Sequence, residues 1–281
     1  MTRYTLAGRT VAITGSTGGL GAAVAVELRA RGANLALLDL NAVAVAAQAA
    51  ALGGPDVARG WHADVRDLES LQTAMNAAAN HFGRLDVAIA NAGIDVVEAM
   101  LTGDPATFER VLDINLTGVW RTFRAAAPHV IEQQGHLLAV SSMAAFVHSP
   151  LQASYTASKA GVWAMCDSIR LELLHTGVTV GTVHPTFFDT PLMDDVLANP
   201  AGRALWGEHK KAPWKLIPRE LVVTETVNAI ERRAKITTVP RHLASVSKAP
   251  GLVRDLINRV GFPPRAIRTA LDLAAAPSRQ P

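Results

Sequence analysis

The sequence predicts an α/β fold: a doubly wound parallel sheet, covered by helices on both faces, in a single domain. Three observations predict it. Short β-rich apolar runs alternate with longer helix-period segments from the start to about residue 185. Several of those runs are nearly continuous in apolar residues, as strands buried on both faces are. The first run ends in a glycine turn that opens a helix. Composition agrees: 281 residues, 49% hydrophobic and 18% charged, supply a sizeable core and exclude disorder, and 21 Gly and 15 Pro without a G-X-Y period exclude fibrous classes.

Taken in order, strands are expected at 10–14 and 34–39, followed by helices at 20–31 and 40–52. Further strands are expected at 56–63, 85–90, 136–141 and 178–184, with a long, mostly apolar helix at 154–175 before the last. No internal repeat or linker-like run interrupts this region, so residues 1–240 are read as one domain. After Val183 the alternation stops. Residues 185–218 hold five prolines among Phe187, Phe188, Met193, Leu197, Leu205, Trp206, Trp214 and Leu216, which suits an apolar lid or binding wall, two short helices packed on the core, or both.

Residues 241–281 read as a basic C-terminal extension. From 218 onward there are eleven Lys and Arg against five Asp and Glu, so the remainder of the chain is net acidic. Leu252, Val253, Leu256, Ile257 and Val260 form one side of an amphipathic stretch, with Arg254, Asp255 and Arg259 on the other. Docking on the core or on a neighbouring subunit is expected, with weak membrane-surface association as the sharper alternative. The surplus charge is not interleaved with aromatic residues, so no nucleic acid is expected. Cys166 is the single cysteine and reads as a small core residue. It gives no sign of an oxidising compartment, and the N-terminus runs straight into a strand, so a cytoplasmic location is expected. No apolar stretch approaches a membrane span. Nine histidines occur without HExxH or paired cysteines, and no metal is expected.

The run Thr14-Gly15-Ser16-Thr17-Gly18-Gly19-Leu20-Gly21 places a glycine turn between a strand and a helix N-terminus, the context for a dinucleotide pyrophosphate. Gly15 would permit the tight turn, Gly19 the approach of the pyrophosphate, and Gly21 close helix packing, while Ser16, Thr17 and Leu20 complete the cradle. Asp39 ends the second strand, eighteen residues beyond Gly21, where a carboxylate accepts from ribose hydroxyls and repels a 2′-phosphate. No Arg or Lys stands at Ser16, Thr17, Leu40 or Asn41, so NAD is favoured over NADP. Asn41 is available to cap the next helix, which would leave Asp39 for the ribose.

Tyr155 and Lys159 lie four apart in a helical segment and so share one face. A nearby ammonium favours a phenolate, making Tyr155 a candidate proton shuttle. With TGxxxGxG at 14–21, Asn91-Ala92-Gly93 after a strand, Asn115, Ser142 thirteen residues before Tyr155, and YxxxK at 155–159, the chain resembles the short-chain dehydrogenase/reductase family over roughly residues 5–240.

The resemblance implies a Rossmann-type domain with Tyr155 as general acid/base and Lys159 on the nicotinamide ribose, lowering the tyrosine pKa. It implies that Ser142 bonds the substrate oxygen and Asn115 anchors a water of the proton relay. Asp64 and Val65 would contact the adenine, and Asn91, Ala92 and Gly93 would flank the cofactor. Beyond Pro185 the family glycine is replaced by Thr186, with Phe188 and Thr190 still placed to meet the carboxamide. The expected function is NAD-dependent interconversion of a secondary alcohol and a ketone on a hydrophobic, steroid-like or lipid-like substrate, with Phe187, Phe188, Trp206 and Trp214 suggesting the apolar pocket. A non-catalytic NAD-sensing module is the alternative. Kinship also implies a homodimer or homotetramer, with the 116–132 and 154–175 helices at a four-helix interface.

Overall fold

The structure is a computed structural model that describes residues 3–207 and 215–275. Seven parallel strands build one sheet: β1 Thr10–Thr14, β2 Asn34–Asp39, β3 Ala58–His62, β4 Val87–Ala90, β5 His136–Val140, β6 Thr179–Pro185 and β7 Ile236–Val239. Their order is β3-β2-β1-β4-β5-β6-β7. The direction of winding reverses between β1 and β4, which opens a crevice beyond the carboxyl ends of those strands.

The helices are α1 Gly19–Ala30, α2 Ala42–Ala51, α3 Leu68–Phe82, α4 Pro105–Leu112, α5 Gly118–Glu132 and α6 Ala153–Glu172, then α7 Pro191–Ala198, α8 Pro200–Trp206, α9 Arg219–Arg232, α10 Ala244–Lys248, α11 Pro250–Gly261 and α12 Pro264–Ala275. Period-two alternation divides the strands between two cores. Val11, Ile13, Leu35 and Leu37 meet α1, α2 and α9, whereas Ala12, Ala36, Leu38 and Ala88 meet α3, α5 and α6. Cys166 is buried in the second of these, where burial pushes its thiol up to about 12. No helix among the described residues is long and apolar enough to cross a membrane.

Six strands occupy the expected places; the seventh is an addition. β7 pairs on one side only, with β6, and its ITTV sequence is half polar, so it lacks the continuous apolar run that marks the inner strands. β3 starts two residues later than expected because Val57 N and Ala58 N both donate to Gly54 O in a turn. The proline-rich segment forms two short helices, α7 and α8. Asn199 caps α8 by accepting from Ala201 N, and Pro200 fills its first turn. Val196, Leu205 and Trp206 of this lid bury against Phe262 and Ala270 of the C-terminal extension.

The extension thus docks on the lid and core, but not as a one-sided stripe. Ile257 packs with Phe146 and Trp163, while Leu252 and Val260 are 86% and 65% exposed. Arg254, expected on the solvent side, turns inward and donates from Nε to Phe146 O at 3.1 Å. Trp214 and the side chains of Val253, Asp255 and Leu256 lie outside the described residues.

Below the crevice one carboxylate ties the central strands. Asp86, fully buried at the entrance to β4, accepts from Arg9 Nη1 at 2.6 Å, from Arg84 Nε and Nη2 at 2.7 and 2.6 Å, and from Thr10 N at 3.0 Å. Burial pulls its pKa up, but the bonds from Arg84, Thr10 and Arg9 outweigh that and hold it below the usual carboxylate range. The stability it contributes is present above the unfolded pKa of about 3.9 and is lost as pH falls through the depressed folded value. Asp86→Asn is expected to cost about 3 kcal/mol in urea unfolding at pH 7, because two guanidinium groups lose their counter-charge. A loss below about 1 kcal/mol would contradict this assignment.

Two sheet histidines work at higher pH. Burial holds His136 in β5 down to about 3 and His184 in β6 down to about 4. The unfolded chain takes up these protons near pH 6.5 while the folded chain does not, so stability falls as pH falls. Each ring is expected to cost about 2 kcal/mol between pH 7 and pH 5. Urea unfolding of the wild type and of His184→Asn at the two pH values tests this, the variant's change from pH 7 to pH 5 being less destabilising than the wild type's by about 2 kcal/mol.

Candidate active site

A cavity of about 880 Å³ fills the crevice, running from the glycine turn past β4 to the lid and extension. Its floor is set by the approach of two turns. Gly15 has φ +63° and lies against Ala92, where an added Cβ would stand 2.8 Å from Ala92 Cα. Asn91 Nδ2 donates to Thr14 O and Gly15 O at 3.1 and 3.0 Å, fastening the β4 turn to the β1 turn. A Cβ on Gly21 would collide with the Gly15 carbonyl, so this glycine permits close packing of α1. A Cβ on Gly19 would meet Pro191 of the lid at 2.7 Å.

Of the residues expected around a dinucleotide, Gly15, Thr17, Gly19, Leu20, Asp39, Asp64, Val65, Asn91, Ala92, Gly93, Pro185, Phe188 and Thr190 line the cavity. Ser16 and Gly21 do not. Ser16 is buried, donating from Oγ to Gln48 Oε1 at 3.0 Å while its carbonyl accepts from Gln48 Nε2 at 2.7 Å. Asn41 caps α2 through Ala44 N, but Asp39 is not left idle. Its Oδ2 accepts from Thr17 N and Oγ1 at 3.0 and 2.7 Å. Asp64 is paired with Arg66, whose bonds lower its pKa. Thr186 causes no left-handed strain, and its N–H donates to Val239 O at 2.9 Å beside β7.

Beyond the floor, Ser142, Tyr155 and Lys159 converge on the same cavity. β5 delivers Ser142 and α6 delivers the other two, with Ser141 Oγ donating to Lys159 O at 3.0 Å to lock strand to helix. Ser142 is steadied from behind. His184 Nδ1 donates to Ser142 O at 3.1 Å, which fixes its tautomer so that Nε2 accepts from Thr182 Oγ1 at 2.8 Å. The Ser142 hydroxyl hydrogen-bonds Tyr155, which favours the phenolate, but burial and the charge of Asp95 push Tyr155 above the ordinary tyrosine pKa.

The expected lowering of Tyr155 by Lys159 is therefore not what this geometry produces. Lys159 Nζ sits 5.5 Å from the Tyr155 ring centroid and donates instead to Val140 O at 3.0 Å. Burial brings its own pKa down to about 8 against the pull of Asp95. Asn115 does not itself line the cavity. It lies in a π-helical turn, Asp113–Thr117, and is fully buried beneath the cavity. Its Oδ1 accepts from Ile94 N at 2.8 Å, and its Nδ2 donates to Ile94 O at 2.7 Å and Ser158 Oγ at 3.3 Å. Both amide hydrogens are spent on protein.

Phe187 and Phe188 line the cavity as expected, whereas Trp206 turns into the contact between α8 and α12. Asp95, Gln152, Leu243, Val246 and Ile257 also line it and were not foreseen. Gln152 had a signal, being three residues before Tyr155 on one helix face. Among the described residues no cluster of His, Cys, Asp and Glu is placed to hold a metal.

The family model described as short chain dehydrogenase matches residues 9–201. (-)-trans-Carveol dehydrogenase of Rhodococcus erythropolis is 35% identical over 206 residues, covering 67% of this chain and 74% of that protein. The 3beta-hydroxysteroid dehydrogenase 1 of Eggerthella lenta is 33% identical over 204 residues, covering 71% and 78%. A crystal structure of a short chain dehydrogenase/reductase from Burkholderia phymatum in complex with NAD superposes with a TM-score of 0.77 at 24% identity, covering 89% of this chain and 97% of that one. The match spans β1 to β6 and α7, with the glycine turn, Asn91-Ala92-Gly93, Ser142, Tyr155 and Lys159 inside it, and the chain belongs to the short-chain dehydrogenase/reductase family of oxidoreductases.

Proposed function

We propose that this protein interconverts a secondary alcohol and a ketone with NAD on a hydrophobic, steroid-like or lipid-like substrate. The observation that carries the reading is the convergence of Ser142, Tyr155 and Lys159 in one cavity whose other end is the glycine turn. The residues fit a nicotinamide dinucleotide: Gly15, Gly18 and Gly19 present side-chain-free backbone to the cavity at the start of α1, where a pyrophosphate would lie, and Asp39 stands at the end of β2. Asp39 would exchange its bonds to Thr17 for ribose hydroxyls, and its charge disfavours a 2′-phosphate. Arg66, which lines that end of the cavity, is engaged by Asp64. Asp64 and Val65 would flank the adenine, with Pro185, Phe188 and Thr190 beside the carboxamide.

When bound, nicotinamide supplies or accepts the hydride. The chain's own residues handle the proton. Tyr155, held in its protonated form by burial, gives the proton to the ketone oxygen during reduction and takes it back during oxidation. Ser142 donates to the same oxygen as charge develops on it. Lys159 binds the ribose and reaches the proton path, and a relay water would rest on the backbone of the π-helical turn, since the Asn115 amide hydrogens are committed. Met143, Val147, Phe187 and Met193 make the substrate end apolar, which the carveol and hydroxysteroid relatives also favour. The half-exposed Trp120 of α5 and the exposed Leu171 of α6 support a homodimer or homotetramer through these helices.

Calorimetry with NAD⁺ and NADP⁺, followed by reduced-nicotinamide absorbance over a panel of hydrophobic secondary alcohols, tests the reading. NAD⁺ preference with turnover upholds it; tight binding without turnover moves the protein to the sensing alternative. Tyr155→Phe is expected to lower kcat by about 10³-fold with dinucleotide Kd nearly unchanged, and retention of most kcat would sink the mechanism. Asp39→Ala should shift the NAD⁺/NADP⁺ affinity ratio toward NADP⁺ by about tenfold or more, read in the same calorimeter.

A further inference from the structure

Beside Tyr155 the cavity wall carries a polar pair that the proton and hydride scheme leaves unused. Asp95 follows Gly93, whose backbone passes over Lys159, and Gln152 stands at the N-cap position of α6, three residues before Tyr155, with its side chain free of any capping bond. Both line the cavity. Gln152 Nε2 donates to Asp95 Oδ2 at 2.5 Å and Val96 N donates to Asp95 Oδ1 at 2.8 Å. A carboxylate has about four acceptor positions, so about half remain for whatever enters the cavity. The cation that attracts it, Lys159, keeps its ammonium on Val140 O.

The neighbouring wall of Met143, Val147, Phe187 and Met193 is apolar, and a carboxylate there is costly unless it is paired. Burial raises Asp95 to about 7, against the opposing pulls of Val96 N–H, Lys159 and Gln152. Near neutral pH it thus exists both as an acceptor and as a donor. A hydroxyl suits both forms because it donates and accepts, and it can also take the second amide hydrogen of Gln152. An anionic group would be repelled by the ionised form, and a methyl would leave the lone pairs unpaired.

We propose that Asp95 and Gln152 form a second polar subsite, so that the preferred substrate is an otherwise apolar molecule with two hydroxyls, one reacting at Tyr155 and Ser142 and the other held by Asp95. This rests on the oxidoreductase reading above and narrows its substrate class. A site built to bond a hydroxyl rejects the analogue that lacks it far more strongly than an apolar pocket rejects an extra methylene.

The test compares cyclohexane-1,2-, 1,3- and 1,4-diol with methylcyclohexanols of the same spacing, in which a methyl replaces the second hydroxyl. Each is assayed with the full chain at saturating NAD⁺, by kcat/KM and by ligand-induced change in Tm. The wild type is expected to favour at least one diol over its methyl twin by about tenfold or more. Asp95→Leu should reverse that preference. Asp95→Asn, nearly isosteric and so a safeguard should the leucine variant fail to fold, should reduce it several-fold. Equal use of diols and methyl twins at all three spacings, or a ratio unchanged in Asp95→Asn, overturns the subsite. If the wild type turns over no member of the panel, cyclohexanols are excluded as substrates whatever the subsite does, and Tm decides the subsite. A diol-specific rise that Asp95→Asn abolishes upholds it, and its absence overturns it.

Discussion

Everything the cavity does depends on how closely the turn after β1 approaches the turn after β4. Gly15 must adopt φ +63° and must lack a Cβ, because Ala92 occupies the space. Asn91 then bonds two consecutive carbonyls of the β1 turn, and the start of α1 follows directly. The same β4 segment continues through Gly93, where an added Cβ would stand 3.6 Å from Lys159 Nζ. One backbone contact therefore registers the glycine-turn end of the cavity against the end that holds Tyr155 and Lys159. Asp86 holds the opposite ends of the same two strands with charge-assisted bonds, so the pair is pinned at both ends.

The ionisable groups around that segment move in one direction. Tyr155 and Asp95 are raised and Lys159 is lowered, each with burial as the leading cause. In a water-poor site the neutral form of every group is favoured, and pairwise attraction only partly restores charge. Ser142 opposes this for Tyr155 through its hydrogen bond, which makes its placement matter. That placement is inherited from the sheet: Thr182 bonds His184, and His184 bonds the Ser142 carbonyl. Burial keeps that ring neutral. Fold stability and site geometry thus share one buried ring.

Much of the fold was legible because doubly buried strands favour nearly continuous apolar runs, and β1, β2, β4 and β5 have them. β7 was not, since an edge strand with one partner can carry two threonines. The glycine turn and the four-residue spacing of Tyr155 and Lys159 were legible because local geometry alone brings those groups together. What the neighbours would do to them was not. The pKa of Tyr155 responds to Asp95, sixty residues away, and Lys159 spends its ammonium on a strand carbonyl. The partners of Ser16 and Asn115 were not legible for the same reason: Gln48 and Ile94 become their neighbours only through the fold.

The substrate end of the cavity is the least local part of the molecule. Its wall is drawn from the β4 exit, the lid around α7, and Leu243, Val246 and Ile257 of the extension. The extension reaches it because α12 buries Ala270 against the lid cluster and Arg254 reaches Phe146 O. Lid and extension therefore support one another, and shape specificity belongs to the pair. Apolar walls of this kind discriminate weakly between similar apolar molecules, at about 1–3 kcal/mol per methylene. Polar groups fixed inside them discriminate strongly, because an unmatched one is left without a partner. Sharp selectivity in this cavity must therefore come from the few polar side chains its wall holds, and not from the apolar residues that make up most of it.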